Sequence, residues 1–184
     1  VRVIAGDKKG KSLKAVPGTA TRPTADKIKE AVFQVIGPYF DGGNVLDLFA
    51  GSGSLGIEAL SRGMDTAVFV DKQSKAVHTM KENLKTVQFE ERAEVFRTDA
   101  FRALKAAAKR GLEFDLVLLD PPYKKMNYQE LFTEILENRL IKQDGIIYCE
   151  HDPAELLPEE TEKYSIIKKE NYSNTIAITI YHVH

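Results

Sequence analysis

From residue 44 onward the chain alternates short apolar runs with longer stretches whose apolar positions recur every three to four residues, the pattern of strands and helices taken in turn. Runs at 45–49, 66–70, 93–98, 114–119 and 145–150 predict strands, and the stretches at 54–61, 73–86, 100–109 and 128–138 predict the helices between them. Apolar runs linked by helices suit a parallel sheet covered on both faces, because its strands are buried on both sides. Two further β-like runs, 164–169 and 175–182, flank the turn-forming Asn171-Tyr172-Ser173-Asn174 and predict a closing antiparallel hairpin.

The first forty residues follow a different pattern. Residues 1–5 and 12–16 flank the glycine-bracketed basic turn Gly6-Asp7-Lys8-Lys9-Gly10-Lys11 and read as a β-hairpin. Pro23 disfavours helix at Arg22, and Thr24 can cap a helix at 25–36 whose apolar face is Ile28, Val32, Val35 and Ile36. Gly37-Pro38 ends it, and Asp41-Gly42-Gly43 reads as a hinge, which divides the chain into an extension at 1–40 and a main domain at 41–184.

The net charge of -1 conceals an asymmetry: residues 1–40 carry +5 and the remainder -6. A solvated lysine-rich loop explains that as simply as polyanion binding does. With 43% apolar and 29% charged residues over 184 positions, one substantial core is expected. The single Cys149 excludes an internal disulfide or a cysteine-rich zinc site, and no metal is expected. No apolar run approaches the roughly 20 residues of a membrane span and no signal-peptide core is visible, so the expected location is the cytoplasm.

Gly51, Gly53 and Gly56 fit G-x-G-x-x-G between a predicted strand and a predicted helix, where a ligand can approach the backbone and meet free N–H groups. Asp71, twenty residues past Gly51, is placed to accept from ribose hydroxyls. This spacing points to a nucleoside cofactor, and NAD competes with S-adenosylmethionine. Asp47 favours the latter, since a carboxylate before the loop suits a cationic amino group, reached through water or backbone, better than a pyrophosphate. Asp99-Ala100 after the third strand can hold an adenine amino group and a ring nitrogen.

Asp120-Pro121-Pro122-Tyr123 decides between them. It follows the fourth strand, at the carboxyl edge where open sheets bind ligands. An exocyclic amine on a base has its lone pair delocalised into the ring and is a poor nucleophile. If the Asp120 carboxylate and the Pro121 carbonyl each accept one N–H, the nitrogen is oriented and can pyramidalise as it attacks a sulfonium methyl. The prolines, including Pro122, stiffen the loop, and Tyr123 offers a face on which the base can stack.

These motifs, with Arg2-Val3-Ile4-Ala5-Gly6, Arg22-Pro23-Thr24 before Asp26, and Leu55-Gly56-Ile57-Glu58-Ala59-Leu60-Ser61-Arg62-Gly63, resemble the RsmD family of 16S ribosomal-RNA guanine-N2-methyltransferases nearly end to end. The resemblance implies a Rossmann-like class I methyltransferase of α/β class: a seven-stranded, mostly parallel sheet with a C-terminal antiparallel hairpin and a small N-terminal hairpin and helix. It implies S-adenosylmethionine as cofactor, held by Asp47, Phe49, Ala50, Gly51, Gly53, Asp71, Lys72, Asp99 and Ala100, with catalysis at Asp120, Pro121, Pro122 and Tyr123. It further implies 16S rRNA in an assembling small ribosomal subunit as partner, gripped by Lys8, Lys9, Lys11, Lys14, Arg22 and Thr24.

The chemistry also permits a DNA adenine or cytosine or a protein glutamine as acceptor, and the fold permits a non-catalytic RNA-binding assembly factor. His78 reads as a surface or packing residue, His182 and His184 as solvated tail residues, and Asn83 as an exposed helix position, with closing the cofactor side as its alternative. Glu150-His151 lies at the carboxyl edge within reach of a substrate, and the four glutamates of 155–162 read as a solvated edge.

Overall fold

The computed structural model describes residues 1–18, 23–122 and 126–184. In chain order its elements are α1 (Pro23–Ile36), β1 (Asn44–Asp47), α2 (Ser54–Ser61), β2 (Thr66–Asp71), α3 (Ser74–Thr86), β3 (Ala93–Arg97), α4 (Ala100–Lys109), β4 (Phe114–Leu119), α5 (Tyr128–Glu137), β5 (Ile141–His151), β6 (Tyr164–Asn171) and β7 (Ala177–Val183). Among the described residues, seven strands form one sheet in the order β3-β2-β1-β4-β5-β7-β6. The first five are parallel and β7 runs antiparallel to both β5 and β6. The expected α/β architecture with its closing hairpin is therefore present.

Each face of the sheet carries its own apolar cluster. Ile28, Val32 and Phe33 of α1, Ile57 and Leu60 of α2, and Met80 and Leu84 of α3 pack on one face, against Val45, Phe69, Leu118 and Ile180. Leu104 and Ala107 of α4 and Leu131, Phe132 and Ile135 of α5 cover the other, against Leu48, Val117, Leu119 and Ile147. The strand order reverses direction between β1 and β4, so the loops leaving their carboxyl ends diverge and open a crevice there.

Several sequence expectations need correction. Residues 1–16 do form a hairpin, with the Val3, Gly10 and Leu13 N–H groups donating to the Lys11, Val3 and Val1 carbonyls, but it is short, with Arg2 and Ser12 its one antiparallel bridge, and several of its other N–H groups turn to side chains of α2 and α3. Helix α1 starts at Pro23, so Thr24 sits in its first turn and is not the cap; proline suits that position because its missing N–H would be unpaired there anyway. Phe33, not Val35, completes the apolar face of α1, and Val35 is exposed. Strand β5 begins four residues early, at Ile141, and bulges through the polar 142–145 segment that breaks its apolar pattern.

The N-terminal segment is fastened by a buried carboxylate. Glu58 is 0% exposed; its Oε1 accepts the Ile4 N–H at 2.9 Å, and its Oε2 accepts the Ala5 N–H at 3.1 Å and the Arg62 Nε–H at 2.7 Å. Lys29 Nζ of α1 lies 3.5 Å from Oε1 and donates to the Arg2 carbonyl and to Ser54 Oγ. Burial lowers the Lys29 pKa against the pull of Glu58 and Asp26. Arg62 Nη1 reaches the Pro38 carbonyl, and its guanidinium stacks on Phe33.

Asp47, at the end of β1, is 2% exposed and accepts the Gly56 N–H at 3.0 Å. Burial raises its carboxyl from 3.8 to about 7, against the Gly56 hydrogen bond and with help from the Asp71 charge. The folded chain thus holds this proton more tightly than the unfolded chain does. The Asp47 contribution to stability therefore falls as pH rises from about 4 to about 7 and levels off above. Urea unfolding across that range should show the decline in the native protein and a flatter profile in Asp47→Asn, whose amide oxygen still accepts from Gly56. Glu58→Ala leaves Lys29 and Arg62 as buried cations without their carboxylate and should lower unfolding free energy by about 3–5 kcal/mol, with early proteolysis in residues 1–16.

Candidate active site

The crevice at the carboxyl edge is a cavity of about 640 Å³. Its floor is Phe49, Ala50, Gly51 and Ser52 of the glycine loop with Asp120, Pro121 and Pro122 of the loop after β4. Val1, Ala15 and Val16 of the N-terminal segment and Asp26 and Lys29 of α1 wall one side; Tyr148, Glu150 and His151 of β5 wall the other. A second pocket of about 140 Å³ shares Phe49, Asp71 and Pro122 with it and continues to Lys72, Thr98, Asp99, Ala100 and Phe101. The glycine loop, Asp71 and Asp99-Ala100 are therefore brought together with Asp120-Pro121-Pro122. Tyr123 and Arg22 lie outside the described residues, as does the side chain of Thr24.

The glycine loop is shaped for close approach. Gly53, at the N-terminus of α2, has φ 83°, a conformation that L side chains rarely adopt. Gly56 meets a different demand: a Cβ there would lie 2.3 Å from the Phe69 ring, so only hydrogen lets α2 seat on β2. Asp71 is pinned at both oxygens, Oδ2 accepting the Gly51 N–H at 2.9 Å and Oδ1 the Gln73 N–H at 2.9 Å. Each oxygen keeps lone-pair capacity for ribose hydroxyls. Asp99 caps α4 through the Arg102 N–H at 3.0 Å, with Arg102 Nε 3.4 Å from its other oxygen. Its carboxylate and the first N–H groups of α4 meet in the smaller pocket, which fits an adenine amino group and ring nitrogen.

The donor set fits S-adenosylmethionine: backbone N–H groups in the loop, a carboxylate for ribose, and a carboxylate with a helix terminus for adenine. Asp47 has a different place. It lies behind the loop on the Gly56 N–H, so it meets the loop through the backbone. Lys72 is exposed at the rim of the smaller pocket.

The lysines expected to meet phosphate separate into two groups. Lys8 is half-buried with its ammonium 5.6 Å from the Phe89 ring centroid and 3.9 Å from Asp7, and Lys14 pairs with Glu82 at 2.9 Å. Lys9 and Lys11 are exposed. Asn83, expected at an exposed position, is 1% exposed: its Oδ1 accepts the Lys14 N–H, and its Nδ2 donates to the Lys14 and Ser52 carbonyls. His151 is buried with Nδ1 on the Asp152 carbonyl and Nε2 on Thr179 Oγ1, both at 2.9 Å, and burial lowers its pKa against the Asp152 hydrogen bond. His78 is exposed and pairs with Glu82, whereas His182 is half-buried against Asp144.

Asp26, Lys29, Glu58, Tyr148 and Glu155 were given no role by sequence reasoning. Glu58 carried a readable signal: a lone acid inside an apolar helix with arginine four residues on. Glu155 did not, because an acid in a run of glutamates looks solvated, yet it lines the cavity. Among the described residues no cluster of side chains is arranged to hold a metal, and no helix is long and apolar enough to cross a membrane.

The family described as conserved hypothetical protein 95 matches residues 1–182. A Bacillus subtilis (strain 168) protein named as an rRNA methyltransferase, YlbH, is 54% identical over 181 residues, covering 98% of each chain. Ribosomal RNA small subunit methyltransferase D of Haemophilus influenzae is 33% identical over 98% of this chain and 93% of its own. Among solved structures, an Escherichia coli protein described as the methyltransferase yhhF superposes with a TM-score of 0.86 at 29% identity, over 100% of this chain and 98% of that one. A match that runs almost from one end to the other, on a fold whose carboxyl edge fits S-adenosylmethionine, places the chain in this family, the RsmD family of S-adenosylmethionine-dependent methyltransferases.

Proposed function

We propose that this protein methylates the exocyclic N2 amine of one guanine in 16S ribosomal RNA, presented by an assembling small subunit. The observation that carries the reading is the shared cavity: the Asp120-Pro121 edge and the glycine loop line one space, so an amine held by the first faces a cofactor held by the second. The ribosomal-RNA names of the relatives support the substrate class.

S-adenosylmethionine, when bound, supplies a methyl group already activated on sulfonium. The chain's own task is orientation. Asp120 accepts one N–H of the amine and the Pro121 carbonyl accepts the other, which directs the nitrogen lone pair into the cavity. The proton released from nitrogen leaves through Asp120 or water. Pro122 lines both pockets and stiffens the loop, and Tyr123 stacks on the base. In this reading residues 1–40 are the RNA-holding extension of the methyltransferase domain at 41–184. Lys9 and Lys11 make its main phosphate contacts, with Lys8, Lys14, Arg22 and Thr24 in support.

The test is to incubate the protein with labelled S-adenosylmethionine and small subunits lacking the modification, then identify the labelled nucleoside. N2-methylguanosine at one site is expected; label in another base, in DNA or in protein overturns the assignment. Asp120→Ala should lower kcat by about 10²–10³-fold while S-adenosylhomocysteine binding, read by calorimetry, is largely kept. Replacing Lys9 and Lys11 together by Ala should raise the RNA KM and reduce the slope of log affinity against log salt by roughly 1–2, with the cofactor KM unchanged.

A further inference from the structure

The cavity wall beyond Asp120 is rich in acceptors. Asp26 Oδ1 and Glu155 Oε2 are buried in it with no hydrogen-bond partner. Its side-chain groups able to donate are already engaged: Lys29 Nζ on the Arg2 carbonyl and Ser54 Oγ, the His151 ring between the Asp152 carbonyl and Thr179 Oγ1, and the Tyr148 hydroxyl on Glu150 Oε1 at 2.7 Å. An occupant of this space is therefore selected for the donors it presents.

The sheet puts Glu150 beside the catalytic loop. Register pairs Leu118 with Tyr148 and Leu119 with Cys149 across β4 and β5. Continued by one residue, it sets Asp120 next to Glu150 at the usual interstrand spacing of about 4.8 Å. Alternation puts both on the face that carries Leu118 and Tyr148, and both line the cavity. Tyr148 is buried, and its phenol is raised well above its ordinary pKa by burial first and then by the Glu150 and Asp120 charges, so it stays a hydrogen-bond donor. Two carboxylates thus stand side by side, one of them aimed by a buried hydroxyl.

Among the bases this pair suits one edge. Guanine carries its N2 amine next to N1–H, so two neighbouring atoms both present donors. Adenine and cytosine carry their amines next to a bare ring nitrogen, whose lone pair would meet the second carboxylate. We propose that Glu150, aimed by Tyr148, accepts the guanine N1–H while Asp120 and Pro121 hold the N2 amine, and that this contact selects guanine over adenine and cytosine. The inference rests on the guanine-N2 reading above and assigns the residue that enforces it. The N1–H bond to a carboxylate also pushes electron density into the ring and relieves the delocalisation that makes N2 a weak nucleophile.

The probe is 2-aminopurine, which has the N2 amine but a bare N1. RNAs carrying guanine or 2-aminopurine at the target position are compared with the native enzyme, Glu150→Gln and Tyr148→Phe. Methyl transfer and cofactor-free binding by competition are both read, and S-adenosylhomocysteine binding reports the fold. The native enzyme should favour guanine by at least about tenfold in kcat/KM, because the Glu150 oxygen that the base covers would face the lone pair of a bare nitrogen and lose its donor. Glu150→Gln keeps the Tyr148 bond and can turn its amide to donate to N1, so the preference should narrow about tenfold in transfer and also in binding. Tyr148→Phe, which frees Glu150, should narrow it less. An unchanged preference in both variants, with N2-methylguanosine still the product, overturns the role of Glu150 alone. Label on adenine or cytosine with native enzyme overturns the guanine reading and the inference together.

Discussion

The Glu58 carboxylate joins three parts of the chain that are far apart in sequence: residues 4 and 5, α1 through Lys29, and the end of α2 through Arg62. Its burial is tolerated because both oxygens are filled by donors, two of them backbone N–H groups that would otherwise be orphaned where the segment crosses α2. The walls of the cavity follow from this. Val1 and Asp26 line the cavity beside Arg2, whose carbonyl accepts from Lys29, and Ile4 and Lys29 are in turn held on Glu58 of α2. Ser54, at the start of the same helix, also takes a bond from Lys29, so the cluster reaches the glycine loop.

The site itself is a division of electrostatic labour along one sheet edge. Asp47 lies behind the loop, where burial disfavours its charge; Asp71 and Asp99 are partly exposed and have backbone N–H groups on them. Asp120 and Glu150 stand farther along, at the ends of β4 and β5, beside tyrosine hydroxyls whose ionisation is suppressed. A parallel sheet makes this layout natural: consecutive strands end at the same level, so residues distant in sequence arrive in a row with their side chains alternating.

The sheet, the crossover helices and the closing hairpin were legible because a buried parallel strand is a run of apolar residues and a covering helix has its own period. That the glycine loop and Asp120-Pro121-Pro122 would meet was legible because each directly follows a predicted strand of a parallel sheet, at the same edge. What escaped were contacts made across the fold. Asn83 looked exposed because its helix neighbours are polar, and no local pattern says that two carbonyls and an N–H come to meet its amide. The bulged start of β5 was hidden by Lys142-Gln143-Asp144, whose polarity imitates a loop. Lys8 and Lys14 counted as free positive charge until Phe89 and Glu82 were found beside them.

The amide of Asn83 has a consequence for how binding at one place is felt at another. One side chain holds the Lys14 N–H and carbonyl with the Ser52 carbonyl, so the basic segment and the cofactor loop share a single fastening. No other small side chain offers one acceptor and two donors in that arrangement; a carboxylate would confront two carbonyls with its own lone pairs. Thermodynamic linkage then works in both directions: whatever steadies the segment steadies the loop, and the favour is returned to the same extent.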